Sequence, residues 1–277
     1  MTAVRQTRVL ISLYPAAPYE SGLQVLAGFV AAEAAEIHGL FVEDLNLLKL
    51  ARLPIAREFS FESAADREIT PELIERSFRA QAARMRALFD KIARQMATRH
   101  SFRVTRGEFL AELVKASAGF DVLVVAHSRN PFGPRLALRA QVAQLLAAGP
   151  PTLILVQERW LTGQRVIALF DGTPESHAVL ALAAAVAKTE GLGLCVWLPA
   201  DGDEPRDELQ LEAQDILGEQ SDAKFGVMNL TNASAMARAA ARQDARALVL
   251  PSRAAEGTRQ LIIDLLDRVD CSIISTR

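Results

Sequence analysis

Short runs of consecutive apolar residues, such as Val9-Leu10-Ile11 and Val166-Ile167-Ala168-Leu169, alternate along this chain with longer stretches whose apolar positions recur every three or four residues. The first pattern predicts strands buried on both faces, and the second predicts helices with one buried face. In the N-terminal half the predicted elements include a helix over Ser21 to Glu36, apolar at Leu23, Leu26, Ala27, Val30 and Ala34, and a strand in IHGLFVED. Strands at Phe102–Thr105, Asp121–Ala126 and Thr152–Gln157 then alternate with helices at Glu108–Ala118 and Arg135–Ala147. In the C-terminal half a helix over Pro174–Lys188 leads to a strand in LGLCVWLPAD. Strands Phe225–Leu230, Ala247–Pro251 and Ser272–Thr276 follow, with helices Ala233–Arg242 and Arg259–Val269 between them.

The two halves carry one pattern twice. RVLISLYPAAPYES (8–21) and RVIALFDGTPES (165–176) both run from arginine through a short apolar strand and a Pro-containing turn to Glu-Ser at a helix start, the first turn being two residues longer. Regular strand-helix alternation predicts a parallel sheet wrapped by helices. The expected class is α/β, Rossmann-like: two repeated five-stranded parallel-sheet domains, 1–158 and 163–277, related by a pseudo-two-fold. The first domain carries a long helical insert at about 70–98, opened by Thr70 as N-cap and Pro71 at N1. Its stripe of Ile74, Phe78, Ala82, Met85, Phe89, Ile92 and Met96 reads as core. Residues 45–61 ahead of it show no clean periodicity and read as a loop, and the acidic stretch through Glu219 reads as a short helix or a cover over the second domain.

Composition narrows the function. Half of the 277 residues are hydrophobic, enough for a packed core, and the net charge of −2 gives no reason to expect nucleic acid or an anionic membrane as partner. Divided near residue 160, the first half carries +4 and the second −6. Opposite signs let the halves attract one another, or a second copy, at low salt. On the opposite face of the insert helix, Arg76, Arg79, Arg84, Arg86, Lys91 and Arg94 are partly answered at i,i+4 by Glu72, Glu75 and Asp90, which favours a solvated face over a nucleic-acid surface. Cys195 and Cys271 lie apart in apolar runs and read as buried free thiols. The four histidines have no metal-ligand spacing, Asp201-Gly202-Asp203-Glu204 lacks the later ligands of a calcium loop, and the motifs of the common hydrolases, NTPases and dinucleotide enzymes are absent. The N-terminus has no signal h-region and no apolar window is long enough to span a membrane, so the expectation is a cytoplasmic protein.

GLFVEDLNLLKLARLPIAREFSF (39–61), SFRVTRGEFLAELVKAS (101–117), DVLVVAHS (121–128) and FDGTPES (170–176) resemble a tandem universal stress protein, two such domains in one chain. The resemblance implies an adenine nucleotide alpha hydrolase-like fold in which the last strands of the two domains pair antiparallel, here Thr152–Gln157 with Ser272–Thr276, as an internal pseudo-dimer. ATP-binding members of that family carry an acidic residue after the first strand and a loop G-x2-G-x9-G-[ST] after the fourth, whose glycines let backbone N–H groups close around phosphate. In the first half His127, Asn130, Ala140 and Gln141 stand at the glycine and hydroxyl positions, and Tyr14 at the acidic one. The second half keeps Asp171 but has only Gly257 in PSRAAEGTRQL, beside Glu256.

The expectation is therefore a non-enzymatic stress-response protein acting by binding or interaction with an unknown protein partner, with degenerate nucleotide motifs and no cofactor. The alternative is a regulatory protein that binds ATP or AMP through an altered loop. The candidate ligand residues are Asp171, Gly172 and Thr173 in one half, and His127, Ser128, Asn130 and Gly133 in the other. A homodimer of the internal pseudo-dimer stays open.

Overall fold

The computed structural model describes residues 7–13, 34–51, 57–60, 65–68, 70–95, 99–126, 135–157, 162–200, 206–218, 222–252 and 256–277. In the first half these form β1 (Thr7–Ser12), β2 (Ala34–Asp44), α1 (Leu45–Ala51), β3 (Arg57–Ser60), β4 (Ala65–Glu68), α2 (Pro71–Gln95), β5 (Arg99–Gly107), α3 (Phe109–Ser117), β6 (Val122–Ala126), α4 (Arg135–Ala148) and β7 (Thr152–Val156). The second half runs β8 (Arg165–Leu169), α5 (Pro174–Glu190), β9 (Gly193–Pro199), α6 (Arg206–Leu217), β10 (Lys224–Met228), α7 (Ala233–Arg242), β11 (Ala245–Pro251), α8 (Glu256–Leu266) and β12 (Ser272–Thr276).

Ten strands make one continuous sheet in the order β10-β9-β8-β11-β12-β7-β6-β1-β2-β5, and β3 pairs with β4 in a separate hairpin. Every pair in the large sheet is parallel except β12 with β7 at its centre. The order therefore reads the same from either edge inward, and the two repeats are related by a pseudo-two-fold at the β7–β12 junction. Ile154 and Ile274, the middle residues of these two five-residue strands, face each other in register and are both fully buried. The polar ends of the junction are also used: Thr152 Oγ1 lies 3.0 Å from Thr276 Oγ1, and the Gln157 N–H donates to Ser272 Oγ at 3.1 Å.

Each inner strand of the large sheet feeds two cores, which is why those runs are apolar without alternation. Val9, Ile11, Val166, Ala168 and Ile274 turn to one face, with α2, α5 and α6. Leu10, Leu123, Ile167, Leu248 and Ile273 turn to the other, with α3, α4, α7 and α8. In α2, Phe78, Met85, Phe89 and Ile92 are buried as the stripe predicts, and Thr70 Oγ1 accepts from the Leu73 N–H at 3.4 Å as the N-cap; Met96 lies outside the described residues. Gly163 opens the second repeat where a Cβ would overlap the backbone nitrogen of Arg246, and its carbonyl accepts from Arg246 Nε at 2.8 Å.

Three expectations need correction. The helix expected over Ser21 to Glu36 does not reach Glu36: Ala34 to Glu36 belong to β2, where Glu36 pairs in parallel register with Arg8 on one side and Arg99 on the other, and residues 21–33 lie outside the described residues. A run of alanines satisfies helical spacing and strand packing equally, so periodicity does not locate the boundary. Residues 45–61 are not simply a loop. Asp44 Oδ1 accepts from the Asn46 N–H at 2.9 Å and starts α1, and the β3–β4 hairpin sets Arg57 opposite Glu68 and Glu58 opposite Arg67, a strand pair with no apolar alternation to read. The acidic stretch forms the twelve-residue helix α6, the first of the two forms expected for it. Of the three i,i+4 pairs expected on α2, Glu75–Arg79 forms at 3.9 Å, whereas Asp90 faces His100 at the same distance. Glu72 turns to the helix start, where its own backbone N–H and the Thr70 side chain hold its carboxyl below the usual range.

The junction and the thiols give two predictions. Ile274→Ala leaves a cavity on the pseudo-two-fold and should cost about 2–5 kcal/mol in urea unfolding, with one cooperative transition retained. Burial pushes the Cys271 thiol up to about 12 and raises that of Cys195, so both stay protonated and unreactive at pH 8. A thiol reagent should therefore titrate neither cysteine in the native protein and both in denaturant.

Candidate functional site

The strand order turns back at β8, flanked by β9 on one side and β11 on the other, so a crevice opens between the C-terminal ends of β8 and β11. Crevices at such reversals are where open α/β sheets hold ligands. Here it is a cleft of about 360 Å³. Its floor is Leu169, Leu250 and Pro251, with Leu230 and Leu261 at the sides; its polar groups come from Asp171, Thr231, Thr258, Gln260 and Asp264. Among the described residues lining it there is no lysine or arginine.

FDGTPES forms one wall, and most of its polar groups build the turn itself. Phe170 is buried and its N–H donates to the Trp197 carbonyl at 3.0 Å. Asp171 Oδ1 accepts from the Thr173 hydroxyl at 2.6 Å and from the Thr173 N–H at 3.3 Å. Between them Gly172 has φ 77°, a left-handed conformation that explains the glycine without any ligand. Thr173, with extended φ and ψ, accepts from the Ser176 N–H as N-cap of α5, and Pro174 follows in the first turn. Ser176 is fully buried and donates from Oγ to the Thr173 carbonyl at 2.8 Å. His177 stacks on Phe170 at 5.6 Å with Nε2 2.9 Å from Glu212 Oε1, which ties α5 to α6.

The opposite wall is the start of α8, steadied by the other repeat. Arg139 of α4 reaches Asp264 through Nη2 at 2.6 Å and Asp267 through Nη1 at 2.7 Å, while Gln260 Nε2 donates to Asp264 Oδ1 at 2.8 Å. The third wall is the β10–α7 turn. Asn229 Oδ1 accepts from both the N–H and the hydroxyl of Thr231, at 3.0 and 2.7 Å, and Asn232 caps α7 through the Ala235 N–H at 3.0 Å.

Of the residues singled out in the sequence, Asp171 lines the cleft with Gly257, whereas Gly172 and Thr173 shape the turn behind it. His127, Ser128, Asn130 and Gly133 lie outside the described residues, as do Tyr14 and the Asp201–Glu204 stretch. The sequence pattern does not single out Leu230, Thr231, Thr258, Gln260 and Asp264; the one signal for any of them is the turn-forming cluster Asn229-Leu230-Thr231-Asn232. Among the described residues there is no cluster of metal-ligating side chains, and no helix is long and apolar enough to cross a membrane.

Thr173→Ala should remove the α5 cap and release the Asp171 carboxylate from its turn. The expected cost is about 0.5–2 kcal/mol by denaturant unfolding, with the far-UV spectrum of the native state unchanged.

No family model matches this sequence, and no curated protein does. Solved structures do match. A universal stress protein from Archaeoglobus fulgidus DSM 4304 superposes over 98% of this chain and 96% of its own at a TM-score of 0.66, with 13% identity. A functionally unknown protein from Pseudomonas aeruginosa PAO1 covers 98% and 92% at a TM-score of 0.59 with 15% identity. The cytoplasmic domain of a prokaryotic cation chloride cotransporter covers 98% and 95% at 0.51 with 9% identity. At such identities the likeness is one of fold, and it spans the whole two-repeat chain: the protein has the universal stress protein fold, written twice around one pseudo-two-fold.

Proposed function

We propose that the protein is a non-catalytic binding protein of the universal stress type, and that its second repeat keeps the ligand crevice without the means to grip a triphosphate. The observation that carries this reading is the composition of the cleft. Two carboxylates and an apolar floor line it, no described cation does, and the segment that stands where the resemblance implies a phosphate loop has a single glycine, Gly257, in place of the repeated glycines. Asp171 is the residue the resemblance assigns to a ribose or an adenine, and it does line the cleft. Arg139 compensates the charge of Asp264 and is held by Asp267 as well, so its own charge is already answered by two carboxylates. A triphosphate brought to this wall meets Asp171, and like charges about 5 Å apart repel by roughly 3 kcal/mol at an effective dielectric of 20. The reading extends to a stress-response role in the cytoplasm and to an unidentified protein partner.

A second reading, an ATP- or AMP-binding regulator, is favoured by one feature: the first turn of α8 reaches the cleft, and helix N-termini attract phosphate. The two readings separate in one experiment. A ligand present at a thousand times its Kd stabilises the folded state by about 4 kcal/mol, a shift of several degrees in Tm. The expected result is no nucleotide released on denaturing the purified chain and no shift with millimolar ATP. Released nucleotide, or an ATP shift of that size abolished by Asp171→Ala, would establish the second reading instead.

A further inference from the structure

The pseudo-two-fold makes α2 and α6 counterparts: each bridges the second and third strands of its repeat, and both pack on the same face of the sheet. Their outer surfaces carry opposite charge. On α2 the exposed Arg76, Arg84, Lys91 and Arg94 have no acidic partner among the described residues, and Leu73 beside them is 49% exposed. On α6 the exposed Asp207, Glu208 and Asp215 have no cationic partner among the described residues. They surround Leu211, at 65% the most exposed large apolar side chain among the described residues. At 100° per residue, Asp207, Leu211 and Asp215 share one face, as do Arg76, Ala80, Ala87 and Arg94. Both are helical faces with an apolar centre and a charged border, and the borders are complementary.

Within one molecule the two faces do not meet. They lie toward opposite edges of a ten-stranded sheet, and its nine spacings of about 4.8 Å set those edges roughly 43 Å apart. Between two molecules stacked face to face they meet twice. A two-fold axis parallel to the strands brings the basic end of each copy over the acidic end of the other, so the contact closes on itself. We propose that a second copy of this chain docks on this face, as a reciprocal dimer in which α2 of each molecule seats against α6 of its partner. This inference is independent of what the crevice binds.

The test is the mass of the full-length chain in solution, by light scattering and sedimentation, at about 20 mM and about 0.5 M salt, where the Debye length falls from over 20 Å to about 4 Å. The expected result is a dimer at low salt that weakens at least tenfold at high salt. Charge reversal on one helix, Arg76→Glu with Arg84→Glu or Asp207→Lys with Asp215→Lys, should each yield a folded monomer, with unfolding midpoints near the unmodified value. An equimolar mixture of the two variants should restore the dimer, as should the chain carrying all four changes. A monomer under every condition would overturn the proposal, as would a dimer indifferent to salt and to reversal. Oligomers that keep growing with concentration would overturn its closed geometry.

Discussion

The antiparallel pairing of β7 with β12 is the constraint on which the rest of the molecule depends. A parallel five-stranded sheet ends in an edge strand whose N–H and C=O groups need a partner, and whose side chains here, Leu153 to Val156 and Ser272 to Thr276, are apolar or buried. Joining the two last strands satisfies both edges at once. Because the junction strands run in opposite directions, the join imposes a two-fold perpendicular to the sheet and sends the same helices of both repeats to the same face. The crevice, the charged outer helices and the remaining sheet edges all inherit their positions from that one pairing.

The repeats have diverged within this frame, and the divergence is chemical. In the second repeat α5 begins on a capped turn built from Asp171, Gly172 and Thr173, and the crevice behind it is bounded by carboxylates and leucines. The first repeat places a 25-residue basic helix where the second has a 12-residue acidic one. Arg139 crosses from one repeat to a pair of aspartates in the other, so the crevice wall is itself an inter-repeat contact. Its worth is modest, about 1 kcal/mol for a half-exposed pair, but it fixes Asp264 in place beside the cleft.

What could be read ahead of the structure followed from periodicity and capping. The sequence bounds Ala233–Arg242 and Ser272–Thr276 to the residue: Asn232 caps the one, and the other is a short β-branched run, Ile273-Ile274 between serines, after the Asp270-Cys271 break. The β3–β4 hairpin is not legible because consecutive charged residues, Arg57-Glu58 and Asp66-Arg67-Glu68, leave nothing for a hydrophobic pattern to show. The crevice was half legible: Asp171 stands out after an apolar strand, whereas Thr258, Gln260 and Asp264 look like ordinary helix surface until α8 is placed against β11.

The sequence by itself determined the α/β alternation, the repetition and the opposed charges of the halves, since these are properties of local order and composition. Only the tertiary structure decided which strands lie side by side, that Asp171 and Asp264 share a cleft while Gly172 and Thr173 only shape it, and that the two charged helices lie on one face toward opposite ends. The reason is physical: periodicity records which side of an element is buried, but a burial pattern is indifferent to what buries it, and that identity is set by strand order and packing.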